Sequence, residues 1–208
     1  MPELRILGRV TSINMRKVLW TADLIGTEYV TELWGTPHRD PKSPEYLALN
    51  PNALVPVIIE DGFVLWESNA IMRYLADTRR SGLWPVAPKE RALVDQWLTW
   101  QVSELNAQWS YAVYALLRKN PAFTDEGRIA DSIRNWTGRM QILENQLIKG
   151  GGFMANGRLS IADLAIAVSS HRWYSTPFER HEFPAIREHY EQLKATPEGA
   201  KYLGAETP

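Results

Sequence analysis

Between residues 4 and 33 the apolar positions change period twice. Leu4 to Gly8, "LRILG", is a short apolar run closed by glycine, the pattern of a buried strand. Met15, Val18, Leu19, Ala22 and Ile25 then recur at spacings of three and four, marking one face of a helix that Gly26 ends. Residues 28–33, "EYVTEL", alternate as a second strand, and a polar, proline-containing stretch from Gly35 to Pro44 reads as a loop. Strand, helix and strand in this order predict a right-handed parallel unit. Further on, "VPVII" and "FVLWE" flank Asp61 and Gly62, a tight turn joining two antiparallel strands. The helix after them starts at Ser68, read as its N-cap, and carries Ile71, Met72, Tyr74 and Leu75 on or near one face. The predicted order is βαβ, a short link, then ββα, a small mixed sheet covered by helices on both faces.

The pattern changes after "RRSGLWPVAPKE", whose glycine and two prolines make a linker. Everything beyond it is predicted helical. Residues 89–118 lack breakers, and Ile129, Ile133, Trp136, Met140, Leu143 and Leu147 form an amphipathic stripe that "KGGGFMANGRL" ends. Ser160 and Asp163 have the spacing of a capping box at the head of "SIADLAIAVSSHRW", a mostly apolar segment expected near the centre of the helical part. A last helix is expected from Pro184 in "FPAIREHYEQL", and the tail "ATPEGAKYLGAETP" reads as irregular.

Composition narrows the chemistry. Among 208 residues, the charged fraction of 23% and a formal net charge of -1 give no global field for nucleic acid or an anionic membrane. No run approaches the roughly 18 apolar residues needed to span a bilayer, and "MPELRILGR" is not a signal peptide, so a cytoplasmic location is the default expectation. With no cysteine there is no disulfide, thiolate metal site or cysteine nucleophile. His38, His171, His181 and His189 are scattered without ligand spacing, so no metal is expected. Neither G-x-S-x-G nor a P-loop is present. The 9 tryptophans fill a core or an interface, or line an aromatic pocket open to solvent.

Three places then hold candidate chemistry. Thr11, Ser12 and Asn14 stand where the first strand gives way to the first helix, so they are capping residues or substrate contacts. Val55-Pro56 opens a strand, either as a tolerated first-position proline or as a cis bond that leaves the Val55 amide and carbonyl free for an extended ligand. Glu67 and Ser68 open a helix whose free N–H groups suit an anion while Glu67 suits a cation, so a zwitterionic amino-acid end fits the pair. Lys42, with His38 and Arg39, supplies loop charge that is either solvated or the counter-charge of a carboxylate ligand.

Taken together, "TSINMRKVLW", "KSPEYLALNPNALVPVIIEDGFVLWESNAIMRYLAD" and "GRLSIADLAIA" resemble the cytosolic glutathione transferase family, in its serine-type theta-like, phi-like or related bacterial branch. The resemblance implies a thioredoxin-like, glutathione-binding domain over 1–80, an all-helical domain over 87–208 and a homodimer. It implies a cis Val55-Pro56 bond facing the cysteinyl part of glutathione, Glu67 and Ser68 on the γ-glutamyl end, and Lys42, less so His38 and Arg39, on the glycyl carboxylate. It implies glutathione as co-substrate, with Ser12, or its neighbours Thr11 and Asn14, stabilising the thiolate. Trp109, Tyr111 and Tyr114 would wall the site for a hydrophobic electrophile. The implied function is conjugation of glutathione to such electrophiles. Glutathione-dependent peroxide reduction or isomerisation, and noncatalytic glutathione binding in a stress or regulatory role, are the alternatives.

Overall fold

The computed structural model describes residues 4–204. Its first part is a sheet with strands in the order β2-β1-β3-β4. Strand β1 (Leu4–Gly8) pairs in parallel with β2 (Tyr29–Leu33) and antiparallel with β3 (Val57–Glu60), and β3 pairs antiparallel with β4 (Phe63–Trp66). The mixed topology follows from the connections. The long crossover through helix α1 (Ile13–Leu24) returns the chain in parallel, whereas the turn at Asp61 and Gly62, both at positive φ (51° and 80°), reverses it. A short helix, α2 (Pro44–Leu47), makes the link, and α3 (Ser68–Thr78) closes the unit.

Past the linker the chain is helical: α4 (Pro88–Trp100), α5 (Asn106–Ala112), α6 (Glu126–Lys149), α7 (Ile161–Ser175), α8 (Pro184–Lys194) and α9 (Pro197–Tyr202). The unbroken run from residue 88 holds two π-helical turns, Gln101–Leu105 and Val113–Leu117, which flank α5. Such wide turns are frequent at functional sites. Helix α7 is buried at every position from Ile161 to Trp173, so it is the axis of the helical domain.

The tail is not wholly irregular. Thr196 accepts a hydrogen bond from the Gly199 amide (3.0 Å), Pro197 takes the first helical position, and Tyr202 donates to Asp23 of α1 (2.5 Å). A Thr-Pro start is a sound helix signal, and the Tyr202–Asp23 contact across the chain supplies what six residues lack on their own. Residues 205–208, the end of that tail, lie outside the described residues. The linker is also packed: Trp84 is buried, and the Leu83 carbonyl accepts from the Ile161 amide (3.1 Å).

Candidate functional site

The β1–α1 junction, the loop into β3 and the start of α3 converge at one end of the sheet. Gly8 is the hinge point, since a Cβ there would lie 2.8 Å from Met15 Sδ and 3.3 Å from the Val55 side chain. The absent side chain thus lets the α1 turn and the Val55 loop close on the end of β1.

Ser12 is the N-cap of α1, in extended conformation, yet its hydroxyl makes no capping hydrogen bond. The turn is held by the backbone, Ser12 N–H donating to the Arg9 carbonyl (3.0 Å) and Arg16 N–H to the Ser12 carbonyl (3.0 Å). The hydroxyl therefore stays available at a helix N-terminus, where the peptide dipoles favour negative charge. Thr11 is exposed. Asn14 is partly buried, and its Oδ1 is shielded from solvent with no hydrogen-bond partner.

The loop before β3 is fixed from outside. Tyr46 Oη and Asn50 Nδ2 both donate to the Leu54 carbonyl (2.8 Å each). The Val55–Pro56 bond is cis, as is Thr36–Pro37. The β1–β3 ladder ends at the Leu7–Val57 pair, so Val55 stands just beyond it beside Gly8.

At the start of α3 the cap shifts by one residue from the sequence expectation. Glu67, not Ser68, is the N-cap, at φ 72°, and Ser68 is the first helical residue. A non-glycine residue there is strained, and such strain concentrates at ligand clamps. Glu67 is exposed and makes no ion pair among the described residues, while Ser68 is 4% exposed.

The loop cations differ in availability. Arg39 makes a two-pronged contact with Glu45 (2.7 and 2.8 Å) and lies 3.8 Å from the Trp34 ring centroid, so its charge is largely engaged. Lys42 and His38 are exposed, and Lys42 has no ion pair among the described residues. The aromatic residues divide too. Tyr114 stacks on Phe123 (4.8 Å) and Tyr111 packs against it at a tilt (5.0 Å), whereas Trp109 packs toward Trp136 (6.3 Å) and donates through Nε1 to Asn106 (2.9 Å).

Pattern reading missed a buried polar chain beneath the site. Lys17 is fully buried, and its Nζ donates to Asn69 Oδ1 (2.7 Å) and Gln101 Oε1 (3.3 Å). Asn69 Nδ2 donates to the Leu98 carbonyl (2.7 Å), and Gln101 Nε2 to Ser169 Oγ (2.9 Å). Burial pushes the Lys17 ammonium down to about 7; Glu67 opposes that fall, and Arg73 and Arg172 add to it. The network ties α1 and α3 to the helical domain one turn below Ser12 and one residue past Ser68. Its signal in the sequence is a lysine between Ile13 and Thr21, four residues from each on a single helix face. Arg172 is a further residue that the pattern does not single out, a charge near the end of a mostly apolar helix.

A thioredoxin-like sheet with an unspent serine hydroxyl at its first helix, a cis-proline loop beside it and an all-helical second domain define the class. Comparison with known proteins agrees. Residues 11–78 match the glutathione S-transferase N-terminal domain and residues 130–206 the glutathione S-transferase C-terminal domain. The chain is 30% identical to glutathione S-transferase GstB of Escherichia coli K12 over 193 residues, covering 91% of this chain and 92% of that one. It is also 30% identical to glutathione S-transferase D7 of Drosophila melanogaster, over 89% and 82%. Among solved structures it resembles the theta class glutathione S-transferase of Xanthomonas axonopodis pv. citri with glutathione bound, at a TM-score of 0.90 and 32% identity over the whole of both chains. The chain belongs to the glutathione transferase family, in a theta-like bacterial branch.

Proposed function

We propose that this chain binds glutathione in the domain formed by residues 1–80 and conjugates it to a second, electrophilic substrate held against the helical domain, residues 87–208. The observation that carries this reading is the Ser12 hydroxyl, set at the N-terminus of α1 and not consumed by capping. The residues around it fit the peptide. Glu67 has a free carboxylate for the γ-glutamyl ammonium, the Ser68 hydroxyl and the α3 N-terminus suit its carboxylate, and Val55 lies past the end of the ladder. Lys42, with no ion pair among the described residues, is a cation for the glycyl carboxylate, with His38 second, while Arg39 is held by Glu45. The glutathione-bound Xanthomonas relative supports the choice of peptide.

Glutathione supplies the nucleophilic sulfur. Ser12 donates a hydrogen bond to the thiolate, and the α1 N-terminus adds its positive end, so both favour the charged form. Moving a thiol from about 8.5 to about 7 requires roughly 2 kcal/mol of such preference, within reach of one charge-assisted hydrogen bond and a helix end. Asn14, whose Oδ1 has no hydrogen-bond partner among the described residues, is a second candidate, and Thr11 is more exposed. Without cysteine, a protein-thiol reductase mechanism has no nucleophile. No helix among the described residues is long and apolar enough to cross a membrane. A homodimer suits the exposed Phe63 and Trp66 on edge strand β4 and the exposed Leu93 on α4.

Replacing Ser12 by Ala should lower kcat/KM by roughly 100- to 1,000-fold while glutathione still binds, the range seen when one donor to a developing anion is lost. The ultraviolet thiolate signal of bound glutathione, followed across pH, should shift its midpoint upward in the same variant. An unmoved midpoint for Ser12→Ala, Thr11→Val and Asn14→Ala alike would reject this activation mechanism. A panel of halogenated aromatics, unsaturated carbonyls and organic peroxides separates transfer from peroxide reduction. Glutathione binding with no turnover on any of them would favour a noncatalytic role.

A further inference from the structure

Arg172, in the last turn of α7, is 3% exposed. Its Nε is shielded from solvent with no hydrogen-bond partner, and no carboxylate among the described residues pairs with its guanidinium. Its contact is the face of Trp109, with 4.5 Å between the guanidinium carbon and the ring centroid. The charged neighbours make the setting more positive. Arg118 lies over the Tyr114 ring (5.2 Å) from the end of the second π-helical turn, and Arg16 and Lys17 approach from α1. Burial first, then Arg118 and Arg16, draw the Arg172 guanidinium down to about 9, against a smaller opposing influence of Tyr114. It therefore stays charged at neutral pH.

A buried, unpaired charge is strongly unfavourable, and in folded proteins such charges are almost always paired. The Trp109 face offsets only part of that cost and takes up none of the N–H donors. Other cations add to the cost. The arrangement lacks an anion, and a planar guanidinium fork above an aromatic wall fits a carboxylate on an apolar body. In the reading above, both carboxylates of glutathione are already matched, to Ser68 and Lys42, and its sulfur to Ser12. The anion then has to come from the other substrate.

We propose that the electrophile this chain conjugates carries a carboxylate, and that Arg172, over Trp109 and beside Arg118, receives it. This rests on the transferase reading and specifies its second site. For a chlorinated nitrobenzoate, the sulfur lone pair forms the C–S bond at the ring carbon, the C–Cl bond breaks, and chloride leaves with the bonding pair. The thiol proton has gone to solvent beforehand.

The test compares a chlorodinitrobenzoate with the matching chlorodinitrobenzamide, each rate corrected for the uncatalysed reaction, in wild type, Arg172→Met and Arg172→Lys. Calorimetry runs alongside, with the corresponding S-aryl glutathiones bearing carboxylate or carboxamide. Wild type should prefer the acid in both kcat/KM and binding. That preference should fall at least tenfold in Arg172→Met and be partly kept in Arg172→Lys, which retains the charge without the fork and still decides the matter if the methionine variant does not fold. Equal losses for acid and amide would mean that Arg172 acts on the sulfur or on packing, which overturns the proposal and leaves the transferase reading intact. Arg172-dependent binding of the carboxylate conjugate without turnover would uphold the anion site and reject the transferase reading. Binding that ignores Arg172 would overturn the site.

Discussion

Replacing Asp163 by Ala should destabilise the protein by on the order of 4 kcal/mol at neutral pH, enough to threaten folding of the helical domain. Asp163 is fully buried at the third position of α7 and acts only as an acceptor. One carboxylate oxygen takes the Met154 amide (2.8 Å) and faces His189 Nε2 of α8 (3.3 Å); the other takes the Ser160 amide and hydroxyl (2.8 Å each). A single side chain thus joins the glycine-rich loop, the head of the central helix and α8. Alanine strands two buried backbone N–H groups, each costing about 1 to 3 kcal/mol, and leaves the histidine and the serine without their acceptor. Ser160→Ala removes one donor of the box and should cost only about 1 kcal/mol. Asp163→Asn keeps the shape but turns an amide N–H₂ toward groups that also donate, so it should fall between the two. Urea midpoints of the three variants check the order, and an Asp163→Ala loss no larger than that of Ser160→Ala would contradict it.

The capping box was readable from two letters because capping is local: residues three apart meet wherever a helix starts. The same holds for the hairpin at Asp61-Gly62 and for the parallel unit, where period and turn chemistry agree. What escaped pattern reading depends on neighbours distant in the chain. Ser68 looks like an N-cap, yet the Glu67 backbone turns to positive φ and takes that position. The tail has little helical character of its own and folds where Tyr202 reaches Asp23. Helix α1 is buried on so many sides that its apolar stripe is only partly visible in the sequence, and the burial of Lys17 is a matter of packing that no local pattern marks. The candidate glutathione residues came from the ordered set of motifs and its family resemblance, because nothing in the spacing of residues 12, 55 and 68 reveals that a small sheet gathers them. Arg172 was readable as a charge in an apolar helix, but its lack of a partner is a fact of packing.

Lys17 should make the stability of this protein rise with pH where an ordinary surface lysine would leave it flat. Its ammonium titrates near 7 in the folded chain because burial opposes the charge, against 10.5 ordinarily. Between those values the unfolded chain holds a proton that the native chain does not, so the free energy of unfolding increases with pH across that window. Below about 7 both forms are protonated, and the penalty is present in full, on the order of 5 kcal/mol from the gap between the two values. The neutral amine can still donate to Asn69 and Gln101, so the chain linking α1, α3 and α7 survives the loss of the proton. In Lys17→Met those two acceptors lose their donor, but the charge penalty also disappears. The difference in unfolding free energy, wild type minus Lys17→Met, should therefore grow by several kcal/mol between pH 6 and pH 10, measured by urea denaturation at each pH; parallel curves would refute the assignment. Lys17→Arg supplies the opposite control. Its guanidinium stays charged at pH 8, where the lysine is mostly neutral, so it should be less stable than wild type there and gain nothing between pH 6 and pH 8.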